Sequence, residues 1–120
     1  MLEAGFCIYI VTSRRNGTVY TGHTDDLARR ASEHAHGDYP GFAKTYGCKH
    51  LVWFEMHETR EAAFIRERRI KDWKRGWKLR MIEQFNPHWL DIHTCPVWPV
   101  PDADAHPEVW RQCMATWLER

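Results

Sequence analysis

The chain is short of the features that would place it in several large classes. Its 120 residues hold only four cysteines, Cys7, Cys48, Cys95 and Cys113, and no Cys-x-x-Cys pair. A disulfide scaffold or zinc ribbon is therefore not expected, and such dispersed thiols suit a reducing compartment. A zinc set drawn from His93, Cys95, His106 and Cys113 would match no standard spacing. No apolar run approaches the ~20 residues of a membrane span, and the start Met1-Leu2-Glu3-Ala4-Gly5 has neither a basic nor an apolar signal segment. The expectation is a cytoplasmic protein without membrane association. No repeat, zinc finger or helix-turn-helix is evident, so nothing is dedicated to reading a base sequence. Length allows one domain with a modest core.

An excess of one charge is missing as well, since the net charge is +1. The distribution is uneven. Between residues 60 and 80, Arg60, Arg66, Arg68, Arg69, Lys71, Lys74, Arg75, Lys78 and Arg80 face only Glu61, Glu67 and Asp72. From residue 86 onward the balance turns acidic. A basic helical stretch is often no more than a solvated face, but interleaved with Trp73 and Trp77 it also fits a phosphate-tracking surface.

What is present near the N-terminus is a broken palindrome of tyrosines. Two β-rich runs, 6–11 and 18–21, flank the loop Thr12-Ser13-Arg14-Arg15-Asn16-Gly17, and Asn-Gly is a strong hairpin signal. In a hairpin with Asn16-Gly17 at its tip, residues whose numbers sum to an odd value share a face. Tyr9 and Tyr20 meet that condition, so two phenols should project from one side of the sheet.

The remaining elements read as follows. Thr24-Asp25-Asp26 offers N-cap chemistry for a helix over about residues 27–35, in which Leu27 and Ala31, and likewise Arg30 and His34, lie one turn apart. Residues 36–47, with Gly37, Pro40, Gly41 and Gly47, read as a loop, and 50–55 as an apolar strand. Thr59 opens a helix to about Lys74; Gly76 separates it from a helix over 77–85 that Asn86-Pro87 stops. The fold class is α+β, a three-stranded antiparallel sheet packed by helices with the site on one face.

Cys7-Ile8-Tyr9 and Tyr20-Thr21-Gly22 stand in order with 27–34 (LARRASEH), 44–47 (KTYG), 51–55 (LVWFE), 66–73 (RERRIKDW) and 86–89 (NPHW). This ordered set resembles the GIY-YIG nuclease superfamily, in particular its small stand-alone bacterial members, related to the nuclease domain of the excision-repair excinuclease. The resemblance covers roughly residues 5–91. Cys7 replaces a glycine and Thr21 an isoleucine, and neither change removes a reacting group.

The resemblance implies a metal-dependent endonuclease acting on DNA, without strong sequence preference, in repair or processing. It places the metal ligand at Glu67, where the bare sequence would equally allow a surface carboxylate paired to Lys71 one turn on. One carboxylate suits magnesium, which keeps much of its water, with manganese as the alternative. Arg30 falls on the phosphate clamp, His34 on a group that shuttles protons or contacts phosphate, and Tyr9 or Tyr20 on the general base, with Tyr20 preferred. A phenol needs nearby cations to serve near pH 7, and Arg30 and the metal would supply them. His23 stands where some relatives carry lysine, and Asn86 supports the site or simply ends its helix. Arg30, Arg68, Arg69, Lys71, Lys74 and Arg75 would contact DNA. Two other readings stay open: a nucleic-acid-binding module that no longer cuts, and a structure-specific nuclease that needs a protein partner.

The likeness stops before residue 92, which divides the chain into a nuclease domain over 1–91 and an extension over 92–120. The extension combines Pro96, Pro99 and Pro101 with an amphipathic pattern from Pro107 through Val109, Trp110, Cys113, Met114, Trp117 and Leu118. It would wrap onto the core or form a homo-oligomer interface; the wrap is favoured because exposed tryptophans make a large apolar patch.

Overall fold

Strand alternation and one tight turn build the first half of the sheet. In the computed structural model, which describes residues 6–94, β1 (Phe6–Thr12) pairs antiparallel with β2 (Val19–Thr24). Tyr9 lies opposite Gly22 rather than Thr24, because the turn is centred one residue before the expected Asn16-Gly17 tip. It runs from Arg14 to Gly17 and is closed by the Gly17 N–H donating to the Arg14 carbonyl at 2.9 Å. A two-residue I′ tip needs positive φ at both central residues, and only Asn16 of the pair has it (φ 57°). Such a shift moves each partner by two positions, so parity survives and Tyr9 and Tyr20 still share a face, with ring centroids 6.4 Å apart.

β3 (His50–His57) pairs with the other side of β1, giving the order β2-β1-β3 and leaving β2 as an edge. The strand extends two residues past the expected Glu55, through Met56 and His57. A bulge interrupts the β1–β3 ladder: Ile10 faces Trp53 and Val11 faces Leu51, so Val52 has no partner across the ladder.

The helices cover both faces. α1 (Leu27–His36) begins at Asp26, whose side chain accepts from the Arg29 N–H, and ends on Gly37 in the left-handed conformation (φ 72°). With it Cys7, Tyr9, Val11, Leu27, Ala31, Leu51 and Phe54 form one core layer. The segment expected as a continuous loop contains a short helix, α2 (Phe42–Thr45), anchored by the buried Ala43. α3 (Arg60–Asp72), capped by Thr59, lies on the opposite face, where Ile8, Ile10, Val52, Trp53, Ala63, Ile70 and Ile82 form the other layer.

The break between the last helices is at Trp73-Lys74, both extended, and not at Gly76, which lies in the first turn of α4 (Arg75–Phe85). Lys78 bridges the break by donating to the Lys71 carbonyl at 3.2 Å. A 3-10 turn over Ile92–Thr94 ends the described region. The Pro-rich segment, the amphipathic pattern from Pro107 and the zinc set with Cys95, His106 and Cys113 lie outside the described residues. Among those described, no helix is long and apolar enough to cross a membrane, and Cys7 and Cys48 are buried thiols.

Candidate active site

The expected site residues meet around the outer edge of β2 rather than on one face of the sheet. Tyr9, Tyr20 and Gly22 belong to the α1 face. His23 pairs with Ile8 and therefore points to the α3 face, where its Nδ1 meets Glu67 Oε1 at 2.9 Å. Arg30 of α1 joins the two sides, its guanidinium donating to the His23 carbonyl at 3.4 Å. From α3, the Lys71 ammonium lies 5.7 Å from the centre of the Tyr20 ring.

Gly22 makes the two phenols possible. A Cβ there would stand 2.5 Å from the Tyr9 hydroxyl, 2.7 Å from Tyr9 Cζ and 3.0 Å from Tyr20 Cε2. The glycine is required by close approach, not by its backbone conformation.

Tyr9 is 1% exposed, and its hydroxyl is 2.9 Å from His34 Nε2. Burial raises its pKa well above the ordinary phenol value, and the neighbouring Arg30 only partly offsets this. Tyr20 is half-buried and also raised, by burial first and then by Tyr39 and Glu67. The expectation that local cations bring a phenol down is therefore not met by the protein alone: desolvation outweighs Arg30.

Burial favours the neutral form of His34 as well, here by lowering its pKa. It is enclosed by Tyr9, Tyr20 and Tyr39, with ring centroids 5.3, 5.9 and 4.8 Å away. Burial, and then the charge of Arg30, lower its pKa to about 4, so near pH 7 it is a neutral hydrogen-bonding partner of Tyr9 with one ring N–H and one acceptor nitrogen, not an imidazolium. This has a consequence for stability. The unfolded chain takes up the proton near 6.5 and the folded chain only near 4. The contribution is whole above pH 6.5 and is lost as pH falls toward 4, reaching on the order of 3 kcal/mol. Urea titrations between pH 7 and pH 5 should show the stability of wild type falling more steeply than that of His34→Gln; equal slopes would mean that His34 is not held neutral.

Glu67 is 5% exposed, one turn after the buried Ala63. Its second oxygen is 3.3 Å from Lys71 Nζ. The pairing anticipated for a surface carboxylate thus exists, but on a buried group that also meets His23. Phe64, Glu67, Arg68, Lys71 and Asp72 line a cleft here of about 290 Å³. Among the described residues no three His, Cys, Asp or Glu side chains come together as a metal cage.

The basic stretch does not form one surface. Arg68 and Lys71 flank the Glu67 cleft, while Arg69, two residues after Glu67, lies on the helix's outer side. Arg66 is taken up by Glu55, with Nε to Oε1 at 3.1 Å, and lies over Trp73. Arg75 donates to the carbonyls of Asn16 and Gly17 at 2.6 and 2.7 Å, tying α4 to the hairpin turn. Lys74 is exposed in the break before α4.

Asn86 is not brought into the constellation. It is fully buried, and its amide donates to the carbonyls of Val52 and Leu90 while its oxygen accepts from the Leu90 N–H. It satisfies backbone groups of Val52 and Leu90, which explains an amide at a dry position.

Two contributors were missed. Glu33 accepts from Arg30 Nε at 3.2 Å, and the three-residue spacing on α1 was available as a signal. Tyr39 lies under the Arg30 guanidinium at 4.1 Å, but it follows the helix in a loop, where no periodicity points to it.

Among known proteins, residues 5–80 match the GIY-YIG catalytic domain. UPF0213 proteins of Staphylococcus aureus strains Mu3, Mu50 and N315 are each 38% identical to the chain over 77 residues, covering 64% of this chain and 93% of theirs. No solved structure matched it significantly. The domain match spans the hairpin, Arg30 and Glu67 alike, and on that ground the chain belongs to the GIY-YIG nuclease family.

Proposed function

We propose that the chain is a magnesium-dependent endonuclease that hydrolyses DNA phosphodiester bonds. The supporting observation is the meeting of Tyr20, Arg30, the Tyr9–His34 pair and a buried Glu67 around one strand edge. Hydrolysis of a phosphodiester needs a positioned nucleophile, charge stabilisation on phosphorus and an outlet for the leaving oxygen.

The donor set fits a single hard cation. Glu67 offers one carboxylate whose Oε2 already faces a positive group, the Lys71 ammonium, and the lack of a protein cage among the described residues suits an ion that keeps its own water. When bound, magnesium would acidify a water and neutralise phosphate charge.

The chain's own groups divide the remaining work. Arg30 is held by Glu33 and Tyr39 with donors of its planar fork to spare, which suits two parallel hydrogen bonds to phosphate. Tyr9 is fixed by His34 and positions the phosphate or the nucleophile. Tyr20 is the more open phenol and lies near Lys71, so it is the better placed to take a proton.

The purified full chain should cut at least one member of a panel of duplex, nicked, branched and single-stranded DNAs with magnesium, and none with EDTA. Folded protein that cuts none of them with magnesium or manganese would overturn the reading. Arg30→Lys keeps the charge but loses the fork, so turnover should fall about a hundredfold or more while DNA affinity changes only a few-fold. Near-normal turnover would demote Arg30 to a general contact.

A further inference from the structure

A run of aromatic rings leads from the site out to solvent. Phe42 and Tyr46 lie one turn apart at α2, with centroids 4.5 Å apart, and are 49% and 54% exposed. Phe42 in turn stacks on Tyr20 at 6.2 Å, with 24° between the ring planes. The open rings are therefore continuous with the phenol proposed to act at the phosphate.

An exposed aromatic pair of this kind costs solvation, and α2 buries only Ala43. Every nucleobase has a face that stacks on an aromatic ring, and such stacking requires no sequence reading. In a duplex both faces of a base are already covered, so an open ring next to the site helps only a base that is out of the helix.

We propose that Phe42 and Tyr46 form a stacking subsite for one unpaired nucleobase flanking the phosphate at Tyr20 and Arg30, which selects single-stranded or frayed DNA over continuous duplex. The proposal rests on the nuclease reading for its placement beside a scissile phosphate. The ordinary role for such a pair, one turn apart on a short helix, is to steady the segment between α1 and β3.

Tyr46 separates the two roles, because among the described residues the ring it is paired with is Phe42, one step removed from Tyr20. Binding of the full chain to a mixed-sequence single strand and to the matching duplex would be measured in EDTA for wild type, Tyr46→Ala and Tyr46→Phe. Removing a base-stacking ring costs about fivefold or more in affinity. Tyr46→Ala should lose that much on the single strand and less than about twofold on duplex, while Tyr46→Phe should stay near wild type on both. Cleavage with magnesium would be mapped on single strands carrying one abasic residue. Wild type should skip the phosphate at a fixed offset from the missing base, and Tyr46→Ala should not discriminate.

Equal losses on both DNAs, or none, would overturn the stacking subsite while leaving cleavage, and so the nuclease reading, standing. An abasic effect that persists in Tyr46→Ala would overturn it too and place the contact elsewhere, as on the cleft that Arg66, Trp73, Trp77 and Arg80 line where α3 gives way to α4. A selective loss of single-strand binding in a protein that cuts nothing would support the subsite and remove the nuclease reading. If Tyr46→Ala does not fold, the abasic map of wild type decides alone: no skipped phosphate, no subsite.

Discussion

Glu67→Gln is expected to lower cleavage by about a thousandfold or more while the protein stays folded and still binds DNA. The side chain keeps its shape, and an amide oxygen can still accept from His23 Nδ1, now at 2.9 Å from Oε1. The amide nitrogen cannot face the Lys71 ammonium, but Lys71 is 47% exposed and can turn to solvent. A partly exposed ion pair of this kind contributes under about 1 kcal/mol, so the melting temperature should move by only a few degrees. The lost charge is what would attract a cation, and the effect should fall on turnover. Rate measurements across a magnesium titration, with circular dichroism and DNA binding as controls, check this. A folded variant that cleaves normally at limiting magnesium would remove Glu67 from the mechanism.

The second large effect is expected at a residue with no side chain. Gly22→Ala adds one methyl group to a strand position with ordinary backbone angles, and the nearest heavy atom would be the Tyr9 hydroxyl at 2.5 Å. The Tyr9 ring cannot simply swing aside: it is buried among core residues and its hydroxyl is bonded to His34. Overpacking of this kind costs about 1–3 kcal/mol. The same displacement would move the hydroxyl away from His34 and disturb Tyr20, whose Cε2 is 3.0 Å from the new atom. Gly22→Ala should therefore lose both stability and most of its turnover, and a crystal structure should show Tyr9 shifted. Tyr9→Phe in the same background relieves only the hydroxyl clash, so it should recover part of the stability and none of the activity. Unchanged stability and turnover in Gly22→Ala would mean that the two phenols are not held as tightly as these distances imply.

The outline of the fold was legible because each element declares its own period. Alternation placed Tyr9 and Tyr20 on one face, and that conclusion survived a shifted turn because the shift moved every pairing by two residues. Helical spacing put Glu67 above Ala63 and His34 above Arg30, and the structure keeps both relations. The same arithmetic, carried further, could have separated Arg68 from Arg69 and set His23 on the opposite face from Tyr20.

What lay beyond the sequence is whatever depends on two elements at once. The bulge at Val52 arises only where β3 meets β1, and the bond from the buried Asn86 amide to the Val52 carbonyl exists only where the end of α4 meets β3. Arg75 looks like a free cation until α4 brings it against the hairpin turn. The titration of His34 and of both phenols depends on how completely neighbouring elements exclude water: at Tyr9 and Tyr20 burial outweighs the Arg30 charge, and at His34 it acts with that charge. Periodicity reports which side of its own helix or strand a residue occupies; which sides meet, and how dry the meeting place is, are set by packing in three dimensions.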